Sequence, residues 1–160
     1  MQNLIPDLYV DKVSDISIKF LLKLGIEGLI IDLDNTITAW NSPELKEEIC
    51  MWFNNLKANK IKTCIASNNK KARVYCVSNN LGIPAIPKAG KPRSRAFLQA
   101  MQVLKTKPCS TAVVGDQIFT DVLGGKRLGL YTILVKPIDS KEFIGTRLMR
   151  QLEKIILRKI

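Results

Sequence analysis

The stretch Gly28-Leu29-Ile30-Ile31-Asp32-Leu33-Asp34-Asn35-Thr36 decides how the rest of the chain is read. Its first four residues form an unbroken apolar run with no alternation of period two. Strands covered on both faces have this pattern, and such strands belong to parallel sheets. The run stops on Asp32 and Asp34, two carboxylates at a buried strand end. Without a counter-ion that placement costs stability, so it points to chemistry rather than to packing.

Working outward, similar short runs recur at Ile61–Ala66, Ile83–Ile86, Thr111–Gly115 and Tyr131–Val135. Amphipathic stretches separate them. Ser42-Pro43-Glu44 has the composition of a helix start, with serine at the cap and proline at the first position, and predicts a helix to about Asn59. Further helices are expected over Lys70–Leu81, Ser94–Leu104 and Asp121–Leu128, the last stopped by Gly129. Strand alternating with helix means a parallel sheet with right-handed crossovers. Ligands of such sheets sit beyond the carboxyl ends of the strands. Those ends are Asp32, Ser67, the Lys88–Lys91 segment and Asp116, all polar.

Composition narrows the chemistry. The chain of 160 residues contains no histidine, and Cys50, Cys64, Cys76 and Cys109 form no C-x-x-C pair. The usual zinc sets and every Ser/His or Cys/His arrangement are thereby excluded. Carboxylates and lysines must do the work. Unpaired cysteines fit a reducing compartment, the cytoplasm or an organelle interior, and the N-terminus lacks the layout of a secretory signal. No apolar run is long enough to cross a bilayer.

The net charge is +11, unevenly placed: the 67 residues between Glu48 and Asp116 carry no acid and twelve Lys or Arg. Such a stretch attracts nucleic acid, an anionic lipid surface or a phosphorylated substrate. Nucleic acid is not the expected partner. Carboxylates at a polyanion site would weaken binding, and no interleaved aromatic and basic platform for bases is present.

A carboxylate facing a cleft can attack phosphorus, and a second one two residues on can protonate a leaving alcohol and then deprotonate water. With phosphate oxygens nearby, a divalent cation is needed, and magnesium suits oxygen ligands. Asp116 can supply a further metal carboxylate. Asp121 is placed to support a metal-bound water or to orient Lys91. Ser67 and Lys91 can hold the transferring phosphoryl group. Taken singly, each has a plainer account: a cap, a turn, or a solvated lysine, with Lys88 a rival to Lys91.

Together the motifs resemble the haloacid dehalogenase superfamily: Asp32-x-Asp34-x-Thr36, Ser67-Asn68, Lys91-Pro92, then Gly115-Asp116 leading to Thr120-Asp121. The resemblance runs from about Gly28 to Val135. It implies Asp32 as nucleophile, Asp34 as acid and base, and Ser67, Asn68 and Lys91 as phosphate binders. Magnesium would be held by Asp32, the Asp34 carbonyl and Asp116, with Thr36, Gln117 and Asp121 in support. Aspartate at position 34 marks the phosphatases of that superfamily.

The expected fold is one α/β, Rossmann-like, three-layer domain over 1–160, with a five-stranded parallel sheet in the order 3-2-1-4-5. Only about thirty residues separate Thr36 from Ser67, and about two dozen separate Ser67 from Lys91, too few for a large cap domain. An open site favours a bulky or surface-presented substrate.

The segments Leu4–Val10 and Leu24–Gly28, Trp40, and Thr146-Arg147-x-x-Arg150-x-x-Glu153 resemble subfamily IIIA, YqeG-like branch. That branch is similar to the mitochondrial and plastid phosphatidylglycerophosphate phosphatases. The implied substrate carries an anionic lipid head group; a nucleotide, sugar phosphate or phosphoprotein is the alternative. The 1–27 segment and a basic amphipathic helix, about 141–160, attach to the domain. On that helix Arg147, Arg150, Lys154 and Arg158 share one face, opposite Leu148, Leu152, Ile155 and Ile156. Such a helix either lies peripherally on an anionic bilayer or docks on the domain. The sequence leaves the oligomeric state open.

Overall fold

All four residues of Gly28–Ile31, here β2, are buried, as the unbroken apolar run requires. The computed structural model describes residues 2–139; the expected C-terminal helix lies outside the described residues. Around β2 the sheet contains β1 (Leu8–Val10), β3 (Lys62–Ala66), β4 (Ala85–Ile86), β5 (Thr111–Gly115) and β6 (Tyr131–Val135). Their order is β1-β6-β5-β2-β3-β4 and every pairing is parallel.

The five expected strands keep the relative order 3-2-1-4-5, but the sheet has six strands, not five. The sixth is β1, whose Leu8, Tyr9 and Val10 register with Ile133, Leu134 and Val135. Three residues are too few to carry a periodicity. β1 is joined to β6 by its backbone ladder, and the Asp7 carboxylate adds to it by accepting hydrogen bonds from the Thr132 amide at 2.8 Å and the Thr132 hydroxyl at 2.9 Å.

Alternation along the strands divides the core into two layers. Leu29, Ile31, Ile65, Val114 and Ile133 face one side, against Leu21 of α1 (Ile18–Lys23), Trp52 and Leu56 of α2 (Glu47–Ala58), and Val74 and Val77 of α3 (Lys71–Leu81). Ile30, Cys64, Ala66 and Val113 face the other, against Phe97, Ala100, Met101 and Leu104 of α4 (Ser94–Leu104). Beside α4 lies α5 (Leu123–Arg127). It comes so close that a Cβ on Gly124 would sit 2.4 Å from Cε2 of Phe97.

Two helix starts differ from expectation. The first long helix begins at Glu47 with Lys46 as its cap, not at Ser42. The Ser42 hydroxyl accepts from the Glu44 amide two residues on, at 3.2 Å, closing a turn instead of capping a helix. Glu47 and Glu48 then complement the positive end of the dipole. The expected helix at Asp121 is a π-helical turn, Ile118–Val122, that runs into α5. Such wide turns occur frequently beside functional sites, and this one carries Asp121.

Candidate active site

Parallel strands end on the same side of the sheet, so β2, β3, β4 and β5 deliver their following residues to one place. Asp32 follows β2 and continues its ladder, its amide donating to the Val114 carbonyl at 2.8 Å. Ser67 follows β3, and its amide donates to the Ile86 carbonyl. Asp116 follows β5. The segment after β4 folds back over Ser67, with the Ala89 amide on the Ser67 carbonyl and the Lys88 amide on the Asn69 carbonyl.

Lys91 lies at the centre. Its Nζ donates to Asp32 Oδ1 at 2.7 Å and to Asp121 Oδ1 at 2.6 Å, and all three residues are buried. Asn68 clasps the Lys91 backbone from both sides: the Lys91 amide donates to Asn68 Oδ1 at 2.8 Å, and Asn68 Nδ2 donates to the Lys91 carbonyl at 3.2 Å. Lys88, by contrast, is exposed and left-handed at φ +50°. Lys91, not Lys88, meets the carboxylates.

Asp121 is brought in by its wide turn. Its Oδ2 accepts from the Gln117 amide at 3.3 Å and the Thr120 hydroxyl at 3.2 Å, leaving Oδ1 for Lys91. The Thr36 hydroxyl donates to Asp116 Oδ1 at 3.3 Å. Burial pushes the Asp32 carboxyl up to about 6; the Lys91 charge opposes that and the Asp121 charge adds to it. Burial alone would lower Lys91, but the Asp121 and Asp32 carboxylates outweigh it and hold the ammonium above its ordinary value.

Carboxylate oxygens of Asp32, Asp116 and Asp121 lie within 4.8 Å of one another. Three buried carboxylates face one buried ammonium there, a surplus of negative charge that a divalent cation fits. Asp121 thus joins this group, while the side chain of Asp34 does not. Its Oδ2 accepts from Asn69 Nδ2 at 2.8 Å; its Oδ1 accepts from Arg73 Nη2 at 3.2 Å and the Asn41 amide at 3.1 Å.

Asn69, Arg73 and Thr38 were not among the expected site residues. Arg73 Nη2 also donates to the Thr38 hydroxyl at 2.7 Å. The available signal was the acid-free stretch itself: an arginine buried within it has to reach a carboxylate distant in sequence.

A cleft of about 460 Å³ adjoins Thr36 and is walled by Val13, Ile37, Ile49 and Ile138, with Lys12 and Lys136 among its polar residues. No helix among the described residues is long and apolar enough to cross a membrane.

A family model described as "Hydrolase: haloacid dehalogenase-like hydrolase" matches residues 18–129. A Bacillus subtilis (strain 168) protein, "Probable phosphatase YqeG", is 42% identical over 153 residues, covering 96% of this chain and 89% of that protein. The Arabidopsis thaliana "Phosphatidylglycerophosphate phosphatase 1, chloroplastic/mitochondrial" is 27% identical; the match covers 99% of this chain but 48% of that longer protein. Among solved structures, the cobalt-bound deoxy-D-mannose-octulosonate 8-phosphate phosphatase (YrbI) of Haemophilus influenzae has a TM-score of 0.57 at 16% identity. That match spans 85% of this chain and 90% of the other, and at this identity it speaks to the fold alone.

Proposed function

The chain belongs to the haloacid dehalogenase-like hydrolases and is a phosphoric monoester hydrolase, and from that premise we propose that it removes the terminal phosphate of phosphatidylglycerophosphate through a phospho-aspartate on Asp32. The observation that carries the chemistry is the Lys91 ammonium held between Asp32 and Asp121. It keeps a buried carboxylate in place and presents a positive charge where phosphate oxygens must come.

An Asp32 carboxylate oxygen attacks phosphorus, the bond to the leaving oxygen breaks, and Asp34 gives that oxygen its proton. Asp34 then takes a proton from water as the water attacks phosphorus, which releases inorganic phosphate and restores Asp32. Lys91, the Ser67 hydroxyl and the Asn68 amide hold the phosphate oxygens, and the Asn68 side chain fixes the Lys91 backbone. Asp32, Asp116 and the Asp34 carbonyl would hold magnesium, which supplies charge neutralisation between carboxylates and phosphate. Thr36, Gln117 and Asp121 keep Asp116 and Lys91 oriented.

The lipid substrate is supported by the Arabidopsis relative and by a Chlamydomonas reinhardtii "Phosphatidylglycerophosphate phosphatase 1, chloroplastic", 24% identical over 94% of this chain and 60% of that protein. The cleft beside Thr36, with Val13, Ile37, Ile49 and Ile138 in its lining, offers room for the glycerol portion of such a molecule. Only a loop and α2 lie between β2 and β3, and only α3 between β3 and β4, so a bulky substrate has access.

Phosphate release with magnesium should be measured from phosphatidylglycerophosphate in mixed micelles, beside a panel of soluble phosphomonoesters. A strong preference for the lipid is expected. Efficient turnover of a soluble ester with little on the lipid would keep the phosphatase and discard the lipid.

A further inference from the structure

Arg73 stands in the first turn of α3, largely buried, with its side chain 13% exposed. Nη2 makes both of its hydrogen bonds, to Asp34 Oδ1 and Thr38 Oγ1. Nε and Nη1 are buried and have no partner among the described residues. Unpaired buried donors on a charged group are costly, and native structures keep few of them. A group retained at that cost calls for a reason, and its two bonds supply one.

We propose that Arg73 is the positioning residue for Asp34, fixing the carboxylate that serves as acid and base; this rests on the role given to Asp34 above. Asp34 and Thr38 form a bridge across the loop after β2, and the guanidinium ties that loop to the first turn of α3. Asn69, between Ser67 and α3, secures the other carboxylate oxygen. The turn that carries Ser67 and the loop that carries Asp34 are thereby locked together. Where the phosphate is held determines where the proton donor stands. Nε and Nη1 are closed off from solvent, so they are not left for substrate.

A proton donor displaced by about 1 Å loses on the order of a hundredfold in rate, and the loss falls on poor leaving groups, which need the proton most. The test is kcat/KM across substituted phenyl phosphates, from 4-nitrophenyl to unsubstituted phenyl, for the full chain and for Asp34→Asn, Arg73→Met and Thr38→Val. In the unaltered protein the rate should depend weakly on leaving-group pKa. Asp34→Asn should make the dependence steep. Arg73→Met should follow it, losing roughly 10–100-fold on phenyl phosphate but within about threefold on 4-nitrophenyl phosphate. Thr38→Val should move in the same direction with the guanidinium still present.

A steep dependence in Asp34→Asn with a shallow one in Arg73→Met overturns the positioning role and leaves the acid intact. A shallow dependence in Asp34→Asn overturns the acid itself, and Arg73's role with it. If Arg73→Met does not fold, as judged by its melting transition, Thr38→Val decides alone.

Discussion

A Cβ placed on Gly115 would lie 2.2 Å from Cγ of Asp121, inside the space that the carboxyl occupies. The last residue of β5 is glycine because Asp121 must fold back against it to reach Lys91. At Gly124 the same absence of a side chain serves packing alone, admitting the ring of Phe97.

The two glycines therefore separate stability from activity. Alanine at either site overpacks and should cost about 1–3 kcal/mol, read from urea denaturation. Gly115→Ala should also lower kcat/KM by roughly tenfold or more, since it pushes on the partner of Lys91. Gly124→Ala should leave kcat/KM close to that of the parent once the protein is folded. Equal activities in the two variants would remove Asp121 from the orientation of Lys91.

Asp32→Asn should abolish phosphate release, by roughly 10⁴-fold or more, and still fold. Its stability should respond to pH in a particular direction. Burial raises the Asp32 carboxyl to about 6 from 3.8, so the native state favours the protonated acid. Stability of the parent then declines as pH rises through that interval, and the neutral amide is spared the decline. In EDTA, the advantage of Asp32→Asn over the parent should grow between about pH 4 and about pH 6 and then level off. An advantage that shrinks over that range would contradict the burial argument.

Three carboxylates and one ammonium should make the fold respond to divalent ions. Magnesium at a hundredfold excess over Kd should add about 2.7 kcal/mol to unfolding stability, and EDTA should reverse it. Asp116→Asn should lose most of this response. Lys91→Met, which leaves Asp32 and Asp121 buried without the cation between them, should lose about 3–5 kcal/mol in EDTA. It should also gain more from magnesium than the parent does. An unchanged melting curve with magnesium in the parent would remove the metal from this cluster.

At the far edge of the sheet, Asp7 accepts from Lys126 Nζ at 2.5 Å and from the Thr132 amide and hydroxyl. Burial acts to raise its carboxyl, but these partners outweigh it and hold the group below its ordinary value of 3.8. The stability it contributes is full above that value and is lost as pH falls through the lower native one. Asp7→Asn should cost about 1 kcal/mol near pH 7, and the difference from the parent should close as pH falls below 3.8 and through the lowered native value. A difference that persists at low pH would mean that packing of β1, not the charge, accounts for the loss.

By itself the residue pattern determined the parallel α/β architecture and the group of residues at the strand ends, while the relative order of five strands is what the resemblance to the haloacid dehalogenase superfamily implied. The reason is local: a strand buried on both faces reads as an unbroken apolar run, as at Gly28–Ile31, and a parallel sheet sends every carboxyl end to one side. Asp32, Ser67, Lys91 and Asp116 could be grouped without knowing a single distance. Their neighbours were another matter. β1 is three residues joined to β6 by backbone hydrogen bonds, which leave no mark on side-chain pattern. Ser42-Pro43-Glu44 has the composition of a helix start, yet the loop up to Lys46 is held by Asp34 through the Asn41 amide, and the helix begins later. Arg73 meets Asp34 across 39 positions. That pairing follows from where the first turn of α3 lands on the loop after β2, and only the assembled tertiary structure brings a guanidinium and a carboxylate from separate crossovers within hydrogen-bonding distance.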